Sequence, residues 1–344
     1  MTKRFSRLCV VGVSLALVGC GVAQYIQSEE ITVDHSGISE DSSGQWAVSS
    51  SKEAAPPPAI TSAPEPAKTG KAAKGNKAKK DASPALAVKS AKAAKGKGFE
   101  LAVRRTERLP FAPGERTVMS ITFMGVEAGT LDLRVLPYKY VGGRKSFHFR
   151  GHGVSTSVFA LFYRVNDVGE SFMDYDGLYS HKFQLKIDES RQQRDLVEYY
   201  DQQAHLIHYW EKLVHTKKGL RITEFTREIE HYAQDAVTAA FYLRTLPLEV
   251  GKSYTYPMVT NGKVWQVTAK VLRREELVTP LGKFPALVIE PETRFEGAIK
   301  TTGQSLLWLS DDEHRNFLKM DAKVKIGSVI GYLKELRQGD PNAQ

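Results

Sequence analysis

From Thr117 onward the chain alternates apolar and polar residues with a period of two. Thr117-Val118-Met119-Ser120-Ile121-Thr122-Phe123 and Gly129-Thr130-Leu131-Asp132-Leu133-Arg134-Val135 gather Met119, Ile121 and Phe123, and Leu131, Leu133 and Val135, each set on one side, the pattern of a half-buried strand. Similar runs occupy 145–151, 156–165, 169–175, 179–188, 194–201, 204–210 and 220–227, then 253–259, 263–275, 285–290, 299–309, 315–323 and 328–336. Gly142-Gly143, Asp176-Gly177 and Asn261-Gly262 separate several of them, and Asn-Gly is a strong hairpin signal. One stretch breaks the alternation. Asp235 suits a helix N-cap, Ala236 to Leu243 is compact and apolar, and Arg244 lies where a cation favours a helix end. The pattern predicts a mainly β domain over 99–340, a single large antiparallel sheet, curved or barrel-like, with one short helix. Two strand openings echo each other: Pro113-Gly114-Glu115-Arg116-Thr117-Val118 and Val250-Gly251-Lys252-Ser253-Tyr254-Thr255. Glycine turns are common enough for coincidence to explain that echo equally well.

Upstream the pattern disappears. Between Ser49 and Lys97 there is no aromatic residue, and Ile60, Leu86 and Val88 are the large aliphatics. Such a segment cannot bury enough apolar area to offset its ordering entropy, so 20–98 is expected to be a disordered linker rich in Lys, Ala and Pro. A flexible chain of this length spans about 50 Å between its ends. Charge follows the same division. The chain carries a net +9, yet residues 51–98 hold eleven Lys against three acids, whereas 99–344 hold 34 Lys and Arg against 31 Asp and Glu. The folded part is close to neutral, which does not support a nucleic-acid-binding fold. The Lys-rich linker either meets anionic envelope polymers or is a solvated spacer. The spacer reading is favoured, because lysines in a disordered segment form no fixed site.

At the N-terminus, Lys3, Arg4 and Arg7 precede an apolar run from Leu8 to Gly19. As a helix that run spans about 18 Å, short of the roughly 30 Å hydrocarbon core, so residues 1–19 are expected to be an export signal. The run ends in Leu17-Val18-Gly19-Cys20, which resembles the bacterial lipobox. The resemblance implies a signal peptide cleaved before Cys20, acyl chains such as palmitate on that cysteine, and membrane anchoring through them. Gly21 follows in place of the aspartate typical of inner-membrane retention, so the expected location is the outer membrane, with the domain in the periplasm. Cys9 and Cys20 are the two cysteines of the chain. With one lost and the other acylated, the mature protein would hold no disulfide, thiol nucleophile or cysteine-ligated zinc.

The remaining candidates for chemistry are sparse. There is no HExxH, GxSxG or Walker A pattern, and neither a metal site nor a cofactor is expected. His205 and His208 sit three apart and so on opposite faces of a strand, while Gly151 and Gly153 beside His148 and His152 suggest a bulge or turn. Asp174 and Asp176 would share a strand face, which admits acid/base hydrolysis; the competing reading is a solvated hairpin end. Asp311-Asp312-Glu313 reads as a turn. Aromatic residues are the better signal. Most belong in a core, but Phe159, Phe162, Tyr163 and Trp210 would line a lipid or glycan cavity if the sheet forms an open trough.

Five motifs in order carry a wider resemblance: Phe111-Ala112-Pro113-Gly114-Glu115, Gly125-Val126-Glu127-Ala128-Gly129, Asp235 through Arg244, Thr279-Pro280-Leu281-Gly282-Lys283-Phe284 and Trp308-Leu309-Ser310-Asp311-Asp312. Together, over 104–336, they resemble the bacterial family catalogued as domain of unknown function 3108. That resemblance implies an exported, β-rich protein or lipoprotein and brings no catalytic residues with it. The expected function is a non-enzymatic periplasmic binding or scaffolding module. A lipid or glycolipid carrier and an envelope hydrolase using Asp174 and Asp176 are the alternatives.

Overall fold

The period-two segments do form strands, and their pairing is dictated by short turns. The computed structural model describes residues 102–295, 298–299, 305–323 and 327–342; the signal, the lipobox and the linker expected over 1–98 lie outside the described residues. In chain order the elements are β1 (Arg116–Phe123), β2 (Val126–Val141), β3 (Arg144–Ser155), α1 (Ser157–Ala160), β4 (Asn166–Asp174), β5 (Ser180–Glu189), β6 (Gln192–Asp201), β7 (Leu206–His215) and β8 (Gly219–Glu228). Then follow α2 (Ala236–Arg244), β9 (Ser253–Thr260), β10 (Lys263–Thr279), β11 (Gly282–Phe295), β12 (Ala298–Ile299), β13 (Leu306–Ser310), β14 (Phe317–Lys323) and β15 (Ser328–Arg337).

These strands make one antiparallel sheet in the order β8-β7-β6-β5-β4-β3-β2-β1-β15-β14-β13-β11-β10-β9, with β12 pairing β11. The first strand therefore pairs with the last in the middle of the sheet, from Arg116 opposite Arg337 to Phe123 opposite Val329. The sheet is not closed, but it curls until its two ends meet face to face. The β9–β10 turn packs so tightly on the other end that a Cβ at Gly262 would fall 2.3 Å from the Phe225 ring of β8. Gln234, past the end of β8, bridges Met258 of β9 in parallel.

Helix α2 lies inside the curl. Every residue from Val237 to Arg244 is buried. Phe241 stacks on Phe149 of β3 at 3.9 Å between ring centroids and meets Phe317 of β14 edge-on at 5.6 Å. The Tyr256 hydroxyl of β9 donates to the Ala239 carbonyl at 3.2 Å. A nine-residue helix reaches β3, β9 and β14 together only from the concave side. Its N-cap, Asp235, accepts from the Val237 and Thr238 N–H groups at 2.8 and 2.9 Å and from the Ser171 and Ser180 hydroxyls at 2.5 Å each. Burial raises the Asp235 carboxyl even against those four hydrogen bonds. At the other end Arg244 pairs with buried Glu115 at 2.6 Å and donates to the carbonyls of Pro110 and His314. Its guanidinium sits 5.1–5.5 Å from the rings of Phe111, Phe241 and Phe317.

A second apolar cluster covers the outer face. Leu277, Val288, Trp308, Leu318 and Leu333 bury one another there, on the side opposite the Leu287, Leu307 and Phe317 of the main core. The register of β10 against β11 shifts between Val271 and Arg273, and past that bulge the long β10–β11 hairpin carries Leu277 onto β14 and β15. The Trp308 indole N–H donates to Glu275 of the hairpin at 2.6 Å.

Three expectations change. Residues 156–165 are a loop holding α1, a second helix, where a strand was predicted, because Thr156 caps α1 by accepting from the Phe159 N–H at 3.2 Å. The run predicted over 299–309 is divided: β13 takes Leu306–Ser310 and 300–304 lie outside the described residues. The echo between the two strand openings is real geometry. Gly114 and Gly251 have φ of 91° and 85°. Gly114 donates to the Val135 carbonyl while Val135 donates back to Glu115, and Gly251 and Lys252 bond Val271 in the same way.

Candidate functional site

The loop between β3 and β4 is the part of the sequence that the core does not absorb. Thr156 anchors it to β2, donating its N–H to the Ala128 carbonyl at 2.9 Å. The chain then turns once through α1 and returns by the Val165 N–H, which donates to the Ser155 hydroxyl at 3.0 Å. Within it, Leu161 is 83% and Phe162 82% exposed, and Val158 is exposed as well. The adjoining β1–β2 hairpin adds exposed Met124 in its turn and Val126 at the start of β2. Five large apolar side chains thus stand on two hydrogen-bonded neighbouring loops at one end of the sheet.

The underside of the loop is polar and buried. Tyr163 turns inward and its hydroxyl donates to Glu189 of β5 at 2.6 Å, and the Gln192 amide donates to the same oxygen at 2.8 Å. The register of β4 against β5 puts Asp167 beside Glu189, both almost fully buried. Asp167 accepts from the Asp188 N–H at 3.2 Å, and the Glu189 charge acts on its carboxyl. Burial, and then the Glu189 charge, push the Asp167 carboxyl up to about 8. Two adjacent buried carboxyls satisfy each other when one holds the proton, so Asp167 is neutral at pH 7. Deeper on the concave side, Glu198 accepts from the Gly262 N–H and the Tyr200 hydroxyl, both at 2.8 Å. Burial pushes it up to about 7 against those hydrogen bonds.

The candidate cavity residues do not come together. Phe159 is half-buried at the base of α1, Phe162 points to solvent, and Tyr163 is spent on Glu189. Trp210 lies on the outer face of β7, because its neighbours Tyr209 and Glu211 take the inward positions. The concave side that would have held a ligand holds α2. Asp174 and Asp176 separate too. Strand β4 ends at Asp174, whose carboxylate accepts from the Asp176 and Gly177 N–H groups at 3.1 and 2.6 Å and so bends the chain. Burial would raise that carboxyl, but His181 and bidentate Arg144 outweigh it and hold it below the usual carboxylate range. Asp176 pairs with Arg105 at 2.9 Å. A carboxyl held ionised in this way is no general acid.

His205 occupies a turn with φ of 59° and packs against His231, whereas His208 bonds Thr226 at 3.2 Å. Among the described residues no three His, Cys, Asp or Glu side chains gather as a metal site. Asp312 closes its turn by accepting from the His314 and Arg315 N–H groups at 2.9 and 3.0 Å. The buried Asp167–Glu189 pair was not found from the sequence; its signal is present only once the strand register is known.

Comparison with known proteins gives one family and several solved structures. A model of the family described as Protein of unknown function (DUF3108) matches residues 118–334. The chain belongs to this family. The DUF3108 match opens in β1 and closes in β15, so it takes in the whole sheet with α2 inside it. No curated protein matches the chain. Among solved structures, a beta-barrel-like protein of domain of unknown function DUF1849 from Brucella abortus is 12% identical with a TM-score of 0.44, covering 68% of this chain and 100% of that one. A protein with a YmcC-like fold from Bacteroides fragilis, taken to be exported, is 8% identical with a TM-score of 0.30 over 67% and 98% of the two chains. One from Parabacteroides distasonis, taken to be a lipoprotein, gives 10% and 0.29 over the same shares.

Proposed function

We propose that this DUF3108 protein is a lipid-anchored, non-enzymatic binding or scaffolding module of the bacterial envelope, held at the outer membrane through acylated Cys20 and extended into the periplasm by its linker. One observation supports recognition at the outer surface: the concave side is filled by α2, whose Phe241 and Arg244 lock into aromatic and ionic partners from β3, β14 and the segment before β1. A carrier reading would need that space. The Lys-rich linker serves as spacer, with anionic envelope polymers as its occasional contacts.

The experiment is metabolic labelling with a palmitate analogue, followed by membrane fractionation. The wild-type chain should incorporate label and sediment with outer membranes, and Cys20→Ser should lose the label. A wild-type chain without label, recovered in the soluble fraction, overturns the reading.

A further inference from the structure

The exposed apolar loops do not stand alone. The β5–β6 turn is bonded to the α1 loop in both directions, Ser190 N–H to the Arg164 carbonyl at 3.1 Å and Arg164 N–H to the Ser190 hydroxyl at 2.7 Å. The β7–β8 turn is bonded onward, Thr216 N–H to the Arg191 carbonyl at 3.0 Å. One continuous rim therefore runs from Met124 and Val126 through Val158, Leu161 and Phe162 to Arg191, Lys217 and Lys218. The first part is apolar and projecting, and the last three residues are exposed cations. Arg164, between them, pairs with Asp188 at 2.6 Å, and the Arg191 guanidinium lies 6.0 Å from the Tyr163 ring. An apolar tip with a basic flank matches the two layers of an anionic bilayer surface, acyl region and headgroup.

We propose that this rim is a membrane-contact surface: Leu161, Phe162 and their neighbours enter the interface of a bilayer containing anionic phospholipid, while Lys217 and Lys218 meet the headgroups. The proposal deepens the reading of an anchored envelope module, since an acylated Cys20 would keep such a bilayer within reach. Contact at the rim would lay the domain against the membrane, and release would leave it at the end of its linker. Chemistry favours lipid over a protein groove, because the apolar residues sit at the tips of turns and not along a flat face.

The test uses the full exported chain bearing Phe162→Cys, labelled with an environment-sensitive nitrobenzoxadiazole dye. Tyr140→Cys serves as reference. Tyr140 is exposed at the far end of β2 from Val126, about 45 Å away along an extended strand. The unmodified chain, treated in parallel, gives the background of dye held without a thiol. With phosphatidylethanolamine–phosphatidylglycerol vesicles, dye at 162 should shift to the blue and brighten, while dye at 140 stays water-like. Phosphatidylcholine vesicles should weaken the response. Lys217→Glu with Lys218→Glu should weaken apparent binding by about five-fold or more per lysine.

Dye at 162 that stays water-like overturns the proposal, whether or not the chain floats with the vesicles. Failure of the unmodified chain to float counts against the lipid anchor alone. A blue shift that requires other envelope proteins, with lipid inert, overturns it in favour of a protein partner.

Discussion

At the residue scale, the groups that define this domain are buried and ionisable, and their protonation can be worked out. Asp167 keeps its proton in the folded protein up to about pH 8, whereas in the unfolded chain it releases it near the ordinary value of about 3.9. Between those limits the folded state binds more protons, so stability falls as pH rises. Glu198, pushed up to about 7, acts in the same direction. Asp167→Asn fixes the neutral form while keeping the oxygen that accepts from Asp188. Thermal melts followed by circular dichroism should show the wild type losing on the order of a few kcal/mol from mildly acidic to alkaline pH. The variant should lose clearly less, keeping the part due to Glu198, and an unchanged slope would refute the shared proton. The sequence displays Asp167 and Glu189 but not their meeting, which depends on β4 and β5 pairing so that Val165 faces Glu189. In contrast, Asp235 and Arg244 are legible as helix ends. What could not be read was their second task, tying the helix to Ser171, Ser180 and Glu115 across the interior.

At the element scale, the strands were legible because alternation and turn residues agree, and α2 because nothing alternates there. The α1 loop was missed for a physical reason. Val158, Phe159, Phe162 and Tyr163 suit strands by size and branching, and the capping effect of Ser155-Thr156-Ser157 outweighs that preference locally. The repeated strand opening is the more instructive case. A residue with φ near 90° is comfortable as glycine and strained as anything else, and at both Gly114 and Gly251 there is room for an added methyl group. Gly114→Ala and Gly251→Ala should therefore each cost about 1–2 kcal/mol through backbone strain alone. The two losses should add, since the sites share no partner. Urea denaturation of the two single variants and the double variant checks this. A double variant far worse than the sum would show that the two openings are coupled.

At the scale of the whole molecule, curvature and filling depend on each other. The sheet wraps because α2 gives its concave side something to pack on, and α2 is helical although its nine residues would be marginal alone. Removing the last strand, with a chain stopped after Gly327, should take away more than an edge. β15 lies between β1 and β14, so its loss exposes two unpaired strands in the middle of the core. Such a chain should show no cooperative unfolding transition and should bind a dye specific for exposed apolar surface; a sharp transition near the wild-type midpoint would contradict the central placement.

That placement has a consequence for how such a chain travels. A thread passing through a translocation pore emerges from its first residues to its last, yet β1 must wait for β15 before its second edge is covered. Until then the two halves of the sheet are not joined, and α2, although already delivered, lies between walls that no strand links. The topology acts as a timer. In a chain exported as proposed, it would keep the thread slack and let the domain set only when its final strand has crossed.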